Sequence, residues 1–87
     1  FVNSLTLGAG QFCTNPGLLL AIDDAGLASF LASAAAAITT VPGSPMLTAG
    51  IHSSYCGSVA ALVAHPRVAR VARGRDAGGW TSTPALY

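Results

Sequence analysis

No charged side chain occurs between residues 25 and 66, and this charge-free stretch is the feature that most constrains the fold. A free-standing domain of 87 residues is mostly surface, and such a surface is normally rich in charge. Here 8% of the residues are charged and 52% are hydrophobic, against a usual charged share of about 25%. The sequence therefore predicts an interior part of a larger body.

A glycine-bounded loop places Cys13 between two apolar segments. Gly8 and Gly10 precede the cysteine, and the pair Pro16-Gly17 follows it. Glycines allow backbone N–H groups to approach a reacting atom closely, and catalytic side chains often lie on such loops. A cysteine considered alone is more often a small buried apolar residue than a nucleophile, so the residues by themselves leave both interpretations open.

Residues 10–17, GQFCTNPG, resemble the active-site cysteine signature of the aldehyde dehydrogenase superfamily. The adjoining residues 5–10, LTLGAG, most resemble the α-ketoglutaric semialdehyde dehydrogenases, with the NADP-dependent fatty aldehyde dehydrogenases as the alternative. The resemblance continues through residues 46–51 and 59–66. It implies that Cys13 oxidises an aldehyde through a thiohemiacetal and a thioester, with NAD or NADP accepting the hydride.

The resemblance also implies roles for the residues beside the thiol. Phe12 and Thr14 flank it and would line the aldehyde pocket, although plain packing around the loop is an equal alternative. Gly10, Gln11 and Asn15 belong to the motif, and no catalytic role for Gln11 can be derived from the sequence. Asn15 is expected to hold the turn through hydrogen bonds from its side chain to the backbone.

The chain contains no glutamate and no lysine. Aldehyde dehydrogenases use a glutamate as general base, a lysine and a second glutamate at the cofactor, and an upstream asparagine beside the backbone N–H of the nucleophile as oxyanion donors. The resemblance implies that residues 1–87 are a partial catalytic domain without the cofactor-binding domain, inactive by itself. The alternatives are a non-catalytic, truncated structural or interaction module and a cofactor-independent, esterase-like thiol transfer.

Hydrophobic patterning predicts an α/β fragment. Residues 1–7 are interpreted as the end of a helix, and residues 18–22, LLLAI, as a parallel strand covered on both faces, because the run is apolar throughout. Asp24 is predicted to cap a helix over residues 25–39. Thr48 is predicted to cap a second helix that ends near Ala64.

The remaining segments are expected to be short and irregular. Residues 40–47 contain two prolines and a glycine and are predicted to lack regular structure. Residues 67–74 are predicted to form a short strand, and residues 80–87 an extended segment that Pro84 limits to a sheet edge. These two segments could form a loose hairpin through residues 68–73.

Charge and histidine content argue against several function classes. A net charge of +1 indicates neither nucleic acid nor an acidic membrane surface as partner, and residues 27–41 are too short to span a bilayer. Neither His52 nor His65 has the spacing of a metal site, and Cys56 is predicted to be a packed thiol. With the resemblance, the expectation is a cytoplasmic homo-oligomer, a dimer or tetramer, with free thiols, no metal and an aldehyde substrate.

Overall fold

The computed structural model describes residues 1–87 as three α-helices and four two-residue strands. The helices are α1 (Val2–Thr6), α2 (Ala25–Thr40) and α3 (Ala49–Ala64), and a 3₁₀ turn, Leu7–Gly10, follows α1. The strands are β1 (Ser44–Pro45), β2 (Ala72–Arg73), β3 (Thr81–Ser82) and β4 (Ala85–Leu86). β1 pairs with β3 and β2 pairs with β4, both antiparallel.

The two long helices begin at the predicted capping residues. The side chain of Asp24 accepts a hydrogen bond from the backbone N–H of Leu27 at 3.0 Å. Thr48 Oγ1 accepts from the N–H of Ile51 at 3.2 Å. Each oxygen satisfies an amide that has no partner within its helix, which is why the helices begin there. Both helix predictions are confirmed, with α2 extending one residue further than expected.

The apolar stripe of α2 forms most of the small core. Ile38 is fully buried and Ala34 nearly so, and α2 packs against β2, where Ala72 is also buried. Near the start of α2, the ring of Phe30 meets the ring of Phe1 edge-on, with centroids 5.4 Å apart. α2 therefore buries part of one face, whereas α3 contains no buried residue.

The predicted parallel strand at residues 18–22 is wrong. This segment has no regular secondary structure, and none of its backbone groups hydrogen-bonds to another backbone group. Leu18, Leu20 and Ile22 are 80%, 85% and 81% exposed. A strand requires a neighbouring strand to accept its hydrogen bonds, and the short strands of this chain already pair with one another as antiparallel ladders. The apolar run has no such neighbour here, so the fold is a small mixed helix and sheet structure.

The prediction that residues 40–47 lack regular structure is also wrong. Ser44–Pro45 forms β1, and Pro42 makes an isolated parallel bridge with Arg75. Pro45 has no N–H to donate, but β1 belongs to a two-stranded sheet, in which each strand has one unpaired edge. The proline at position 45 is therefore compatible with this short strand.

The C-terminal segments pair as the antiparallel β2–β4 ladder, in which Ala72 faces Leu86. The two strands do not form a simple hairpin, because β3 lies between them in the chain and pairs with β1. Gly78 and Gly79 have φ of 74° and 60° and turn the chain between the strands. Gly74, which follows β2, lies close to the end of α2, since a Cβ there would lie 2.5 Å from the carbonyl oxygen of Val41. The approach of this segment to Val41 thus depends on glycine at position 74.

Tyr55 attaches α3 to the C-terminal segment. Its hydroxyl donates to the carbonyl of Thr83 at 2.6 Å and accepts from the N–H of Thr83 at 3.2 Å. Thr83 is buried, so both backbone groups lack water and rely on this phenol. Burial raises the pKa of Tyr55 above its ordinary value of 10.0, and the hydrogen bond from Thr83 opposes this only in part.

Replacing Asp24 with alanine should fray the start of α2, because the N–H of Leu27 loses its acceptor. Loss of an N-cap carboxylate costs about 1 kcal/mol of helix stability. We expect faster amide hydrogen exchange at Leu27 and a weaker helical circular dichroism signal. Asp23→Ala is the matched control, since Asp23 is exposed and is not the N-cap. Equal effects of the two substitutions would contradict the capping role.

The titration of Tyr55 should report the folded state directly. A Tyr87→Phe variant leaves Tyr55 as the single tyrosine, so tyrosinate absorbance follows one group. We expect a midpoint above 10.0 in the folded chain and a return to the ordinary value in denaturant. Because the folded state holds this proton more tightly, the contribution of Tyr55 to stability is complete below pH 10 and is lost as the pH rises through its raised pKa. A midpoint that denaturant leaves unchanged would be the contrary result.

Candidate active-site cysteine

Cys13 lies on an exposed turn with both its thiol and its amide free. The turn covers residues 11–14 and is closed by a hydrogen bond from the N–H of Asn15 to the carbonyl of Phe12 at 3.0 Å. The thiol of Cys13 is exposed, and the backbone N–H of the same residue has no acceptor within the chain. An exposed thiol and a backbone N–H without an acceptor in the chain therefore belong to the same residue of this turn.

The backbone ahead of the turn is left-handed over three consecutive residues. Gly8, Ala9 and Gly10 have φ of 58°, 59° and 76°. Glycine adopts this region readily, but alanine does so at a cost, because its Cβ crowds the backbone. The hydroxyl of Ser82, a buried residue of β3, donates to the carbonyl of Ala9 at 3.0 Å. This bond fixes the strained residue to the C-terminal sheet.

Asn15 holds the turn from its other side. Its side-chain amide donates to the carbonyl of Gly10 at 2.7 Å and, more weakly, to that of Leu5 at 3.4 Å. The predicted bonding of Asn15 from side chain to backbone is confirmed. The carbonyl groups at the end of the helical segment thus gain a donor that the local backbone does not supply.

Gln11 connects the turn to the segment before α3. Its side-chain N–H₂ donates to the carbonyl of Gly8 at 2.9 Å, and its side-chain oxygen accepts from the N–H of Leu47 at 2.9 Å. No role for Gln11 could be derived from the sequence, because its partner Leu47 is 36 residues away along the chain. The role of Ser82 could not be predicted for the same reason, since the carbonyl that its hydroxyl binds, that of Ala9, is 73 residues away along the chain.

Phe12 and Thr14 are exposed on the turn beside the thiol. Neither residue lines the large groove of the structure, which has a volume of about 1100 Å³ and passes along Gly10 and Asn15 instead. Cys13 does not line this groove either. The turn therefore brings Phe12, Cys13 and Thr14 together, and the substrate-contacting roles of Phe12 and Thr14 stay predictions.

Over 77 residues, 88% of the chain, the sequence is 48% identical to alpha-ketoglutaric semialdehyde dehydrogenase 2 of Azospirillum brasilense. The resemblance to the aldehyde dehydrogenases is confirmed. The chain spans 15% of the length of that relative. No family model matches the chain, and no solved structure matches it.

The aldehyde dehydrogenase-like turn has no base of its own. No side chain hydrogen-bonds to the sulfur of Cys13. The acidic residue with the most hydrogen bonds, Asp76, lies apart from the turn, in a cluster with Thr83 and Arg73. There Asp76 accepts from the hydroxyl of Thr83 at 2.8 Å and from both terminal nitrogens of Arg73, at 2.9 and 2.6 Å. The hydrogen bond from Thr83, with that from Arg73, lowers the pKa of Asp76 below its ordinary value. This carboxylate therefore stays ionised at neutral pH, and its oxygens are already hydrogen-bonded to Thr83 and Arg73.

The residues of this aldehyde dehydrogenase-like chain do not fit a nicotinamide dinucleotide. Gly8 and Gly10 follow a helix, whereas a dinucleotide loop follows a strand and opens a helix. The space over Gly10 is already filled, since a Cβ there would lie 3.0 Å from the amide nitrogen of Asn15.

No group of three or more histidine, cysteine or acidic side chains is placed to hold a metal ion. None of the helices combines the length and apolar character needed to cross a membrane.

Cys56, the second thiol, is exposed on α3, so the prediction that it is packed is wrong. α3 buries none of its side chains fully, and Cys56 is among its exposed residues. His65 forms the C-cap of α3, where its ring nitrogen Nδ1 accepts from the N–H of Arg67 at 3.2 Å. The ring of His65 therefore binds the backbone just after α3.

Removing the Asn15 side chain should loosen the Cys13 turn. Asn15→Ala leaves the carbonyl of Gly10 without its donor, and one such hydrogen bond is worth about 1 kcal/mol, or roughly fivefold in an opening equilibrium. We expect limited proteolysis within residues 8–17 to accelerate by about that factor. Asn3→Ala is the matched control, because Asn3 is exposed on the neighbouring α1. If both variants were cut at the rate of the parent chain, the holding role of Asn15 would be refuted.

Proposed function

We propose that residues 1–87 are the thiol-bearing part of the catalytic domain of an NAD(P)-dependent aldehyde dehydrogenase, with Cys13 as its nucleophile. The observation that carries the proposal is the exposed Cys13 turn, which combines a free thiol with a free amide. The 48% identity to the Azospirillum enzyme supports it. From the name of that relative, we infer that the substrate is α-ketoglutaric semialdehyde and the product 2-oxoglutarate.

The turn is suited to the covalent step of such a reaction. The sulfur of Cys13 would attack the carbonyl carbon, a carbon–sulfur bond would form, and the carbonyl oxygen would become an oxyanion. The N–H of Cys13 has no acceptor within the chain, so it is available to donate to that oxyanion. Gln11, Asn15 and Ser82 hold the backbone on both sides, so sulfur and amide keep their relative positions.

Other parts of the reaction would be supplied from outside these 87 residues. No side chain of these residues is placed to act as a base toward Cys13, and the described residues offer no binding site for a nicotinamide dinucleotide. The exposed run at residues 18–22 and the groove of about 1100 Å³ beside it support a larger domain, because both are apolar surfaces that additional chain would cover. We therefore propose that NAD or NADP and the general base belong to that additional part.

The exposed apolar surface also favours a second candidate for the 87 residues alone. With Ile38 as the single fully buried large side chain, the chain has little core, and residues 18–22 offer an unpaired, strand-length apolar run. Such a run pairs readily with another chain. The second candidate is a non-catalytic module that self-associates through residues 18–22.

A segment exchange tests the enzymatic proposal. The matching segment of the Azospirillum enzyme is replaced by this chain, and aldehyde-dependent reduction of NAD or NADP is followed by absorbance. We expect activity with α-ketoglutaric semialdehyde to be retained and to exceed that with a long-chain fatty aldehyde. Cys13→Ser should lower the turnover at least about a thousandfold, because it removes the group that forms the covalent bond.

Cys56→Ser is the matched control in the same exchanged enzyme and should leave turnover unchanged. A folded exchanged enzyme whose activity survives Cys13→Ser would refute the assignment of the nucleophile. A folded exchanged enzyme without any activity would favour the non-catalytic candidate. Preference for the fatty aldehyde would retain the nucleophile and change the substrate.

A further inference from the structure

Cys56 and His52 form a thiol–imidazole pair on α3 that the proposed reaction does not use. The sulfur of Cys56 lies 3.5 Å from Nε2 of His52. The residues are four positions apart, which places them as neighbours on one face of the helix. Cys56 is exposed, so a reagent can reach the sulfur, while His52 is half-buried beside it.

The surroundings of the pair leave the imidazole free to serve the thiol. α3 carries no acidic or basic side chain, so no ion pair on the helix engages His52. The strand that packs against α3 is β3, which is also uncharged. An imidazole beside a thiol can accept its proton and favour the thiolate, which is the reactive form of cysteine. The sulfur of Cys13 has no comparable partner.

We propose that Cys56 is a second reactive thiol, which exchanges with small-molecule disulfides and carries a reversible mixed disulfide. The thiolate of Cys56 attacks one sulfur of the disulfide, a new sulfur–sulfur bond forms, and the original one breaks. Cys56 is oxidised, and the departing thiolate is reduced and takes up the proton that His52 received. The site is separate from Cys13 and does not depend on aldehyde dehydrogenase activity.

Oxidised glutathione is the probe, and the rate of mixed disulfide formation at Cys56 is read by mass spectrometry. Cys13→Ser in the 87-residue chain removes the other thiol and serves as the parent. Adding His52→Gln should lower the rate about three- to tenfold, the factor that one hydrogen bond of ordinary net strength corresponds to. Adding His65→Gln instead is the matched control and should leave the rate unchanged, because His65 bonds to Arg67.

A second measurement does not depend on how well the His52 variant folds. The parent is compared in buffer and in denaturant, which removes the helix and with it the pairing of His52 and Cys56. Since Cys56 is already exposed, we expect the native rate to exceed the denatured rate by about the same three- to tenfold. The proposal is overturned if the native rate is no higher, or if the two histidine substitutions change the rate equally.

Discussion

Hydrogen bonds to the C-terminal segment hold the rest of this structure together. Thr81–Ser82 pairs with β1 and Ala85–Leu86 pairs with β2, so one short stretch of backbone completes both sheets. Between these strands, Thr83 binds the hydroxyl of Tyr55 on α3. Each strand has only two residues, and an isolated pair of that length is marginal by itself. The fold therefore depends on one segment satisfying several neighbours at once.

The Cys13 turn is a consequence of that arrangement as much as of its own motif. The glycines allow the left-handed backbone, but Ala9 adopts the same conformation without that freedom. The hydroxyl of Ser82 and the amide of Leu47 reach the turn from distant parts of the chain. A nucleophile benefits from such support, because precise placement requires that the surrounding residues be fixed by a second set of contacts.

Incomplete burial connects the fold with the proposed function. The apolar core is limited to Ala34 and Ile38 of α2 and Ala72 of β2, while α3 buries nothing fully. Leu18, Leu20 and Ile22 are the side chains that a larger domain would be expected to cover. Tyr87 also lines the groove, and its hydroxyl is buried without a hydrogen-bond partner within these residues. A buried hydroxyl normally has such a partner.

The sequence by itself determined the features that depend on neighbouring residues. Asp24 and Thr48 cap the helices within one turn, Asn15 bonds to the adjacent backbone, and the motif at residues 10–17 carries the resemblance to aldehyde dehydrogenases. Only the tertiary structure decided whether residues 18–22 had a strand to pair with, because hydrogen bonding between strands requires a partner that patterning cannot locate. It also decided that Gln11 and Ser82 support the turn and that Cys56 is exposed, since those properties depend on contacts far apart in the chain and on which helix face is covered.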